Sequence, residues 1–145
     1  MLADLASSGA IPSLELSLRF AGERQKLIAH NIANASTPDF RPLDVDPAHF
    51  AQTLRGLIDQ RRSKTGGEHG ILPSHSSKQI RFGADGRVTL NPRVPSGNIL
   101  FHDRNNRDME RLMQDNAENV AAYRLTAELL RGRYEILKSA IAERA

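Results

Sequence analysis

Apolar residues recur every three or four positions near the beginning of the chain. This stripe contains Leu14, Leu18, Ala21, Gln25, Ile28, Ile32 and Ala35. Such spacing places the side chains on one face of an α-helix. Pro12 and Ser13 favour a helix start, and Pro38 limits its end because a proline disfavours helical backbone at the preceding Thr37. The pattern therefore predicts a helix over residues 13 to 35.

A longer stripe with the same spacing fills the end of the chain. It contains Met109, Leu112, Asn116, Val120, Tyr123, Ala127, Leu130, Tyr134, Leu137 and Ile141. A helix from residue 107 to 143 would be about 55 Å long. A helix of that length cannot fold back into a small globule and needs partners along its length. We therefore expect the two terminal helices to pair as a coiled coil, with seam residues Leu14, Leu18, Ile28, Val120, Tyr123, Ala127, Leu130, Tyr134, Leu137 and Ile141.

Three residues interrupt these apolar patterns. Gln25 and Asn116 lie within the two seams, where we favour tolerated polar positions near an exposed edge. A single buried polar residue can also fix the register of paired helices, and that interpretation stays open. Gly132 disfavours helix and indicates either a close approach of another helix or simple tolerance.

The middle of the chain has a different pattern. Residues 47–60 predict a short helix, whereas the Gly- and Ser-rich stretch 61–78 predicts a flexible loop. Alternating apolar residues flank a GADG turn and predict a small β-hairpin at 79–91. We therefore expect a mainly α protein in which residues 1–46 and 99–145 form a helical assembly domain, while 47–98 form a partly disordered middle segment. Since apolar residues crowd toward the chain ends, most of the core should lie on the terminal helices.

Composition restricts the classes of function. Residues 41–105 contain ten basic and six acidic residues, which suits a solvated surface, a nucleic acid or an acidic protein surface. These basic residues lack the interleaved aromatic residues of a nucleic-acid stacking surface, so we expect no nucleic-acid partner. The chain lacks cysteine, which excludes disulfides and cysteine-ligated metals. It has neither a cleaved signal peptide pattern nor an apolar run that could span a membrane.

The motifs of catalysis and ligand binding are missing from the sequence. The five histidines form no HxxxH or HExxH pair, and the glycines form neither a P-loop nor a GxGxxG turn. No GxSxG motif presents a serine as a nucleophile. We therefore expect no enzymatic activity, catalytic residue, metal, cofactor or small-molecule substrate.

Two segments together point to a family. RFAGERQKLIAHNIANASTPDFRPLDVD at residues 19–46 resembles the N-terminal motif of bacterial flagellar rod, hook and hook-associated proteins, and NNRDMERLMQDNAENVAAYRLTAELLRGRYEILKSAIAER at 105–144 resembles their C-terminal helix. The short chain is most similar to the proximal rod proteins of this family. Its residues that match the motif are Asn31, Ile32, Ala33, Asn34, Thr37, Pro38 and Phe40. Asp39 stands where the family usually has glycine, and aspartate is among the less costly replacements if the backbone there needs a positive φ.

The resemblance implies a structural subunit of the basal-body rod. Members of this family polymerise helically, and their terminal helices form the wall of an export channel within the drive shaft. Its partners would be further copies, other flagellar rod proteins and proteins at the junction of the MS ring with the export gate. The resemblance also implies a periplasmic location, reached through the flagellar type III apparatus without a cleaved signal. A free-standing coiled-coil adaptor and a basic nucleic-acid-binding protein remain as alternatives from other classes.

Overall fold

The computed structural model describes residues 9–67, 69–73, 76–83, 87–94 and 109–142. Three helices and two short strands follow one another along the chain: α1 (Ile11–Ala33), α2 (Pro47–Thr65), β1 (Ile80–Phe82), β2 (Val88–Leu90) and α3 (Met109–Ala142). The two terminal helices pack together, which confirms the mainly α fold that the sequence predicted.

The ends of α1 differ by two residues from those predicted. The helix begins at Ile11 and ends at Ala33, with Pro12 in its first turn. Ser13 does not cap the free N–H groups as expected, because its Oγ donates to the Ala10 carbonyl oxygen at 2.7 Å. The residue after Ala33, Asn34, stands four positions before Pro38, and its backbone N–H still donates to the His30 carbonyl.

The helix α2 is longer than the sequence predicted. Asp46 caps its start by accepting a hydrogen bond from the Ala48 N–H at 2.8 Å, and Gly66 ends it in the left-handed conformation at φ 67°. The first five residues of the predicted loop 61–78 are therefore helical. The reason is tertiary: Arg61 lies one turn after buried Leu57, is itself buried, and donates from Nη2 to the Gly9 carbonyl at 3.0 Å.

The predicted hairpin is present. β1 and β2 pair antiparallel in the register Ile80–Leu90, Arg81–Thr89 and Phe82–Val88. The residues of the GADG turn at 84–86 lie outside the described residues. After the hairpin, Arg93 exchanges two backbone hydrogen bonds with Asp44, both 3.0 Å long, so the segment that follows α1 gains a partner.

The hydrophobic core corrects one expectation. Its central cluster consists of Phe20, Val45, Phe50, Ile80 and Val88. Only Phe20 comes from a terminal helix, and its ring stacks on that of Phe50 with centroids 3.9 Å apart. Ile11, Ala21, Ile28 and Leu112 on the terminal helices are also buried, so the core is shared between these helices and the middle segment instead of lying mostly on the former. The helix α1 is thus central, because it packs against both α3 and β2.

Candidate functional site

The interface between α1 and α3 is antiparallel. Tyr134 Oη donates to Glu15 Oε1 near the start of α1, while Asn116 binds Gln25 farther along the same helix. The hydrogen bond to Glu15 raises the pKa of the Tyr134 phenol, and partial burial adds to the effect. This contact therefore marks the end of the interface nearest to Ile11.

The ten seam residues differ in burial. Ile28 is buried, and the half-buried ones are Leu14, Leu18, Val120, Ala127, Leu130 and Leu137. Tyr123 and Tyr134 remain 44% exposed and Ile141 47% exposed. The packing of α3 against α1 thus leaves apolar surface on α3, most of all near its C-terminal end.

A polar ladder crosses the middle of the interface. Gln25 Nε2 donates to Asn116 Oδ1 at 2.7 Å, and Gln25 Oε1 accepts from Asn119 Nδ2 at 2.7 Å. Asn119, which is 4% exposed, also donates to the Ala21 carbonyl at 3.0 Å. Gln25 and Asn116 are therefore mutual partners rather than tolerated polar positions, and a shift of either helix by one turn would break these bonds.

A charged cluster adjoins the ladder. Arg24 binds Asp44 through two parallel hydrogen bonds, Nε to Oδ1 at 3.0 Å and Nη2 to Oδ2 at 2.8 Å. Its Nη2 also lies 3.3 Å from Asp115 Oδ1 on α3. Burial alone would lower the pKa of Arg24, but the hydrogen bonds and negative charges of Asp44 and Asp115 raise it overall. This guanidinium joins α1, α3 and the segment after α1.

The sequence interpretation missed Arg24 and Asn119. One signal was available: Phe20, Arg24, Leu27 and Asn31 continue a three/four spacing along α1 beside the predicted seam. Polar residues at apolar spacing indicate buried partners. Their identity was not predictable, because Arg24 and Asp115 are separated by 91 residues in the sequence.

The family motif forms the exit from α1. Asn31, which is 2% exposed, pairs with the backbone of Leu43 through both ends of its amide: Nδ2 donates to the carbonyl at 2.7 Å, and Oδ1 accepts from the N–H at 3.1 Å. Asn34 Nδ2 donates to the His30 carbonyl at 2.8 Å. The chain after the helix is therefore fixed against the helix that it leaves.

The other motif residues shape the turn between these bonds. Thr37 and Pro38 are exposed, and Asp39 has a φ of 57°. This left-handed conformation explains why glycine is usual at that position. The ring of Phe40 contacts the ring of His30 edge-on, with the ring centroids 5.7 Å apart. Ile32 is half-buried and Ala33 is exposed.

The described part of the chain offers little for metal chemistry. Within it, no group of three histidine, aspartate or glutamate residues comes close enough together to hold a metal ion. None of its helices combines the length and apolar character that crossing a bilayer requires. The described residues instead form the α1–α3 interface and the segment after α1, residues 34–44, which we call the exit segment.

Comparison with known proteins gives consistent relatives. No family model matches the chain. The flagellar basal body rod protein FlgB of Salmonella typhimurium is 32% identical over 114 residues, which cover 79% of both chains. FlgB of Bacillus subtilis is 28% identical over 136 residues, covering 92% of this chain and 94% of its own length. FlgB of Escherichia coli is 29% identical over 129 residues, covering 84% and 90%.

Proposed function

Since the chain belongs to the FlgB family of flagellar basal body rod proteins, we propose that it polymerises helically through α1 and α3 as a subunit of the proximal rod. Its role in the basal body is structural, as it is for these relatives. In this proposal the terminal helices of successive copies form the wall of the export channel. The rod then transmits torque as the drive shaft.

The observation that carries the proposal is the apolar surface that α3 keeps. α3 has 34 residues and α1 has 23, so α3 is longer by about 16 Å. Leu125, Leu129 and Ile136 are more than half exposed on α3. A stable monomer rarely exposes apolar side chains so densely along one helix, whereas a subunit buries them against its neighbours.

The exit segment has a definite part in this arrangement. Asn31 holds the chain that follows α1 against that helix through the backbone of Leu43. Arg24 connects the same segment to α3 through Asp44 and Asp115. The middle segment contacts α1 through Phe50 of α2, which stacks on Phe20, and through β2. We infer that the helix pair lies toward the channel and the middle segment toward the outside of the rod.

The proposed partners follow from this position. They are further copies of the chain, other rod proteins and the proteins at the junction of the MS ring with the export gate. We also propose a periplasmic location reached through the flagellar type III apparatus. Residues 1–46 with 99–145 would then act as the assembly domain, and 47–98 as the outer segment.

A complementation experiment tests the proposal. Deletion of the gene should abolish swimming and leave growth intact, and the unaltered gene should restore basal bodies seen by electron microscopy. Leu130→Asp places a charge in the half-buried seam and should block basal-body formation, whereas Leu130→Met should allow it. Normal basal bodies with Leu130→Asp would refute the assignment of the seam to assembly.

A further inference from the structure

A groove of about 880 Å³ lies between α1 and β2, and Tyr123 of α3 also lines it. On the β2 side it contacts four consecutive residues, 87–90. Successive side chains of a strand point to opposite faces, so a groove that contacts every residue in turn runs along the edge of the strand. The edge of β2 that faces away from β1 is therefore one wall of the groove, and α1 is the opposite wall.

The hydrogen bonds of the hairpin show which backbone groups face the groove. Asn91 donates from its N–H to the Gln79 carbonyl at 2.8 Å, and the Arg87 carbonyl accepts from the other arm of the hairpin, also at 2.8 Å. Because bonding residues alternate along an antiparallel strand, the N–H and C=O groups of Val88 and Leu90 point away from β1. In the described part of the chain, no residue is hydrogen-bonded to these groups.

The other edge of the hairpin is closed at Ile80. Its N–H donates to Ser77 Oγ at 3.1 Å, and its carbonyl accepts from the Ser77 N–H at 2.7 Å. Ser77 thus takes the place that a further strand would take beside β1. An open strand edge is a template for pairing with another extended chain. The edge of β2 at the groove is therefore the one suited to accept a strand.

The charges of the groove indicate the chemistry of that strand. Three basic side chains, Arg19, Lys26 and Arg87, line it together with one acidic side chain, Glu23. Arg19 also lies 3.8 Å from Glu15, and Lys26 lies 2.6 Å from Glu23, but these exposed pairs within α1 contribute little. The excess of basic groups favours an acidic occupant.

We propose that an extended acidic segment of another protein adds to β2 as a third strand in this groove. Its backbone hydrogen-bonds to Val88 and Leu90. Its alternate side chains contact the apolar part of the walls, which Leu18, Leu27 and Tyr123 form. The groove is separate from the exposed apolar surface of α3, so the proposal goes beyond the rod assembly and does not depend on it.

Amide hydrogen exchange of the full chain, measured by nuclear magnetic resonance, tests the added strand. The probe is a short peptide of alternating valine and glutamate. When it occupies about nine-tenths of the chains, exchange of the Val88 and Leu90 amides should slow about tenfold. Exchange of Thr89, whose amide faces β1, should not change. The same peptide with all its amides N-methylated cannot pair as a strand and should protect neither amide.

Two charge reversals test the selection of an acidic strand. Lys26→Glu should raise the Kd of the peptide about fivefold or more, measured by fluorescence anisotropy, because it places an acid in the groove. The matched control is Lys78→Glu, which makes the same change of net charge at an exposed lysine outside the groove, and its Kd should be unaltered. A peptide of alternating valine and lysine should bind at least about tenfold more weakly than the acidic one.

Four results would each overturn the proposal. The first is an absence of protection at millimolar acidic peptide. The second is exchange of Val88 and Leu90 as slow as that of Thr89 without peptide, because the chain itself would then cover the edge. The third is equal affinity for the acidic and basic peptides. The fourth is protection that appears when the chain alone is concentrated, which would make a second copy the occupant.

Discussion

Arg24 and Asp44 form a two-point ion pair that ties the exit segment to α1, with Nη2 of the arginine 2.8 Å from Oδ2 of the aspartate. The arginine side chain is 5% exposed and the aspartate 22% exposed. Asp115 on α3 approaches the same nitrogen, so one guanidinium holds three parts of the chain together. The first prediction concerns the loss of this group.

Arg24→Leu should lower the free energy of unfolding by about 3 kcal/mol, because it leaves two partly buried carboxylates without their cation. Lys26→Leu provides the control: Lys26 pairs with Glu23 but is 72% exposed, and its loss should change stability by less than about 1 kcal/mol. Urea denaturation followed by circular dichroism measures both. Equal effects of the two substitutions would show that the buried cluster does not hold the fold together.

Asn119 is the centre of the second prediction. Asn119→Ala removes donors to Gln25 Oε1 and to the Ala21 carbonyl inside the interface, and should cost about 1–3 kcal/mol. Gln114→Ala on the exposed side of α3 loses only a hydrogen bond to Glu118 and should be nearly neutral. Urea denaturation followed by circular dichroism measures the free energy of unfolding of both variants. If the Asn119→Ala variant is as stable as the Gln114→Ala variant, the hydrogen bonds of the polar ladder do not fix the register of α1 against α3.

Two substitutions of Asp39 should change the free energy of unfolding in opposite directions. Its φ of 57° is unstrained for glycine and unfavourable for a β-branched residue. Asp39→Gly should therefore raise the free energy of unfolding by up to about 1 kcal/mol, and Asp39→Val should lower it by about 1–2 kcal/mol. Thermal melting of the two variants and the unaltered chain checks the order. If glycine is the more destabilising substitution, the aspartate side chain has a role beyond tolerating the turn.

The stability of the α1–α3 interface should depend on pH through Tyr134. Because Glu15 raises its pKa above 10, the neutral phenol is favoured in the folded state. Its contribution to stability is complete below pH 10, the value for the unfolded chain, and is lost as the pH rises through the higher folded pKa. Ultraviolet titration of Tyr123→Phe, which leaves one tyrosine and no tryptophan, should show a pKa above 10 that falls when Glu15→Gln is added. A pKa unaffected by Glu15→Gln would mean that the Tyr134–Glu15 hydrogen bond does not form in solution.

Elements determined by local sequence were predictable. The spacing of apolar residues indicated both terminal helices, and alternation around GADG indicated the hairpin. Aspartate was expected to be tolerated at position 39 if the backbone there needs a positive φ, and Asp39 does have a positive φ. The extension of α2 through Arg61 was missed because its polar sequence resembles a loop until Gly9 supplies a partner.

Tertiary features were harder to predict for the same reason. Arg24 and Asn119 gain their importance from partners 91 and 94 to 98 residues away, which no local pattern identifies. The share of the middle segment in the core was underestimated, because the central cluster combines single residues from α1, α2 and both strands with Val45. Apolar spacing shows which face of an element is buried, but it does not show which element covers that face.

The central claim is that the terminal helices of this chain form the wall of the basal-body rod. An electron cryomicroscopy reconstruction of isolated basal bodies tests it most directly, because side chains can be assigned at the positions of Asn31, Tyr123 and Leu130. We predict rod density in which α1 and α3 face the channel and α2 with the hairpin lies outside them. A reconstruction that lacks this chain in the rod, or places α1 and α3 on the outer surface, would contradict the claim.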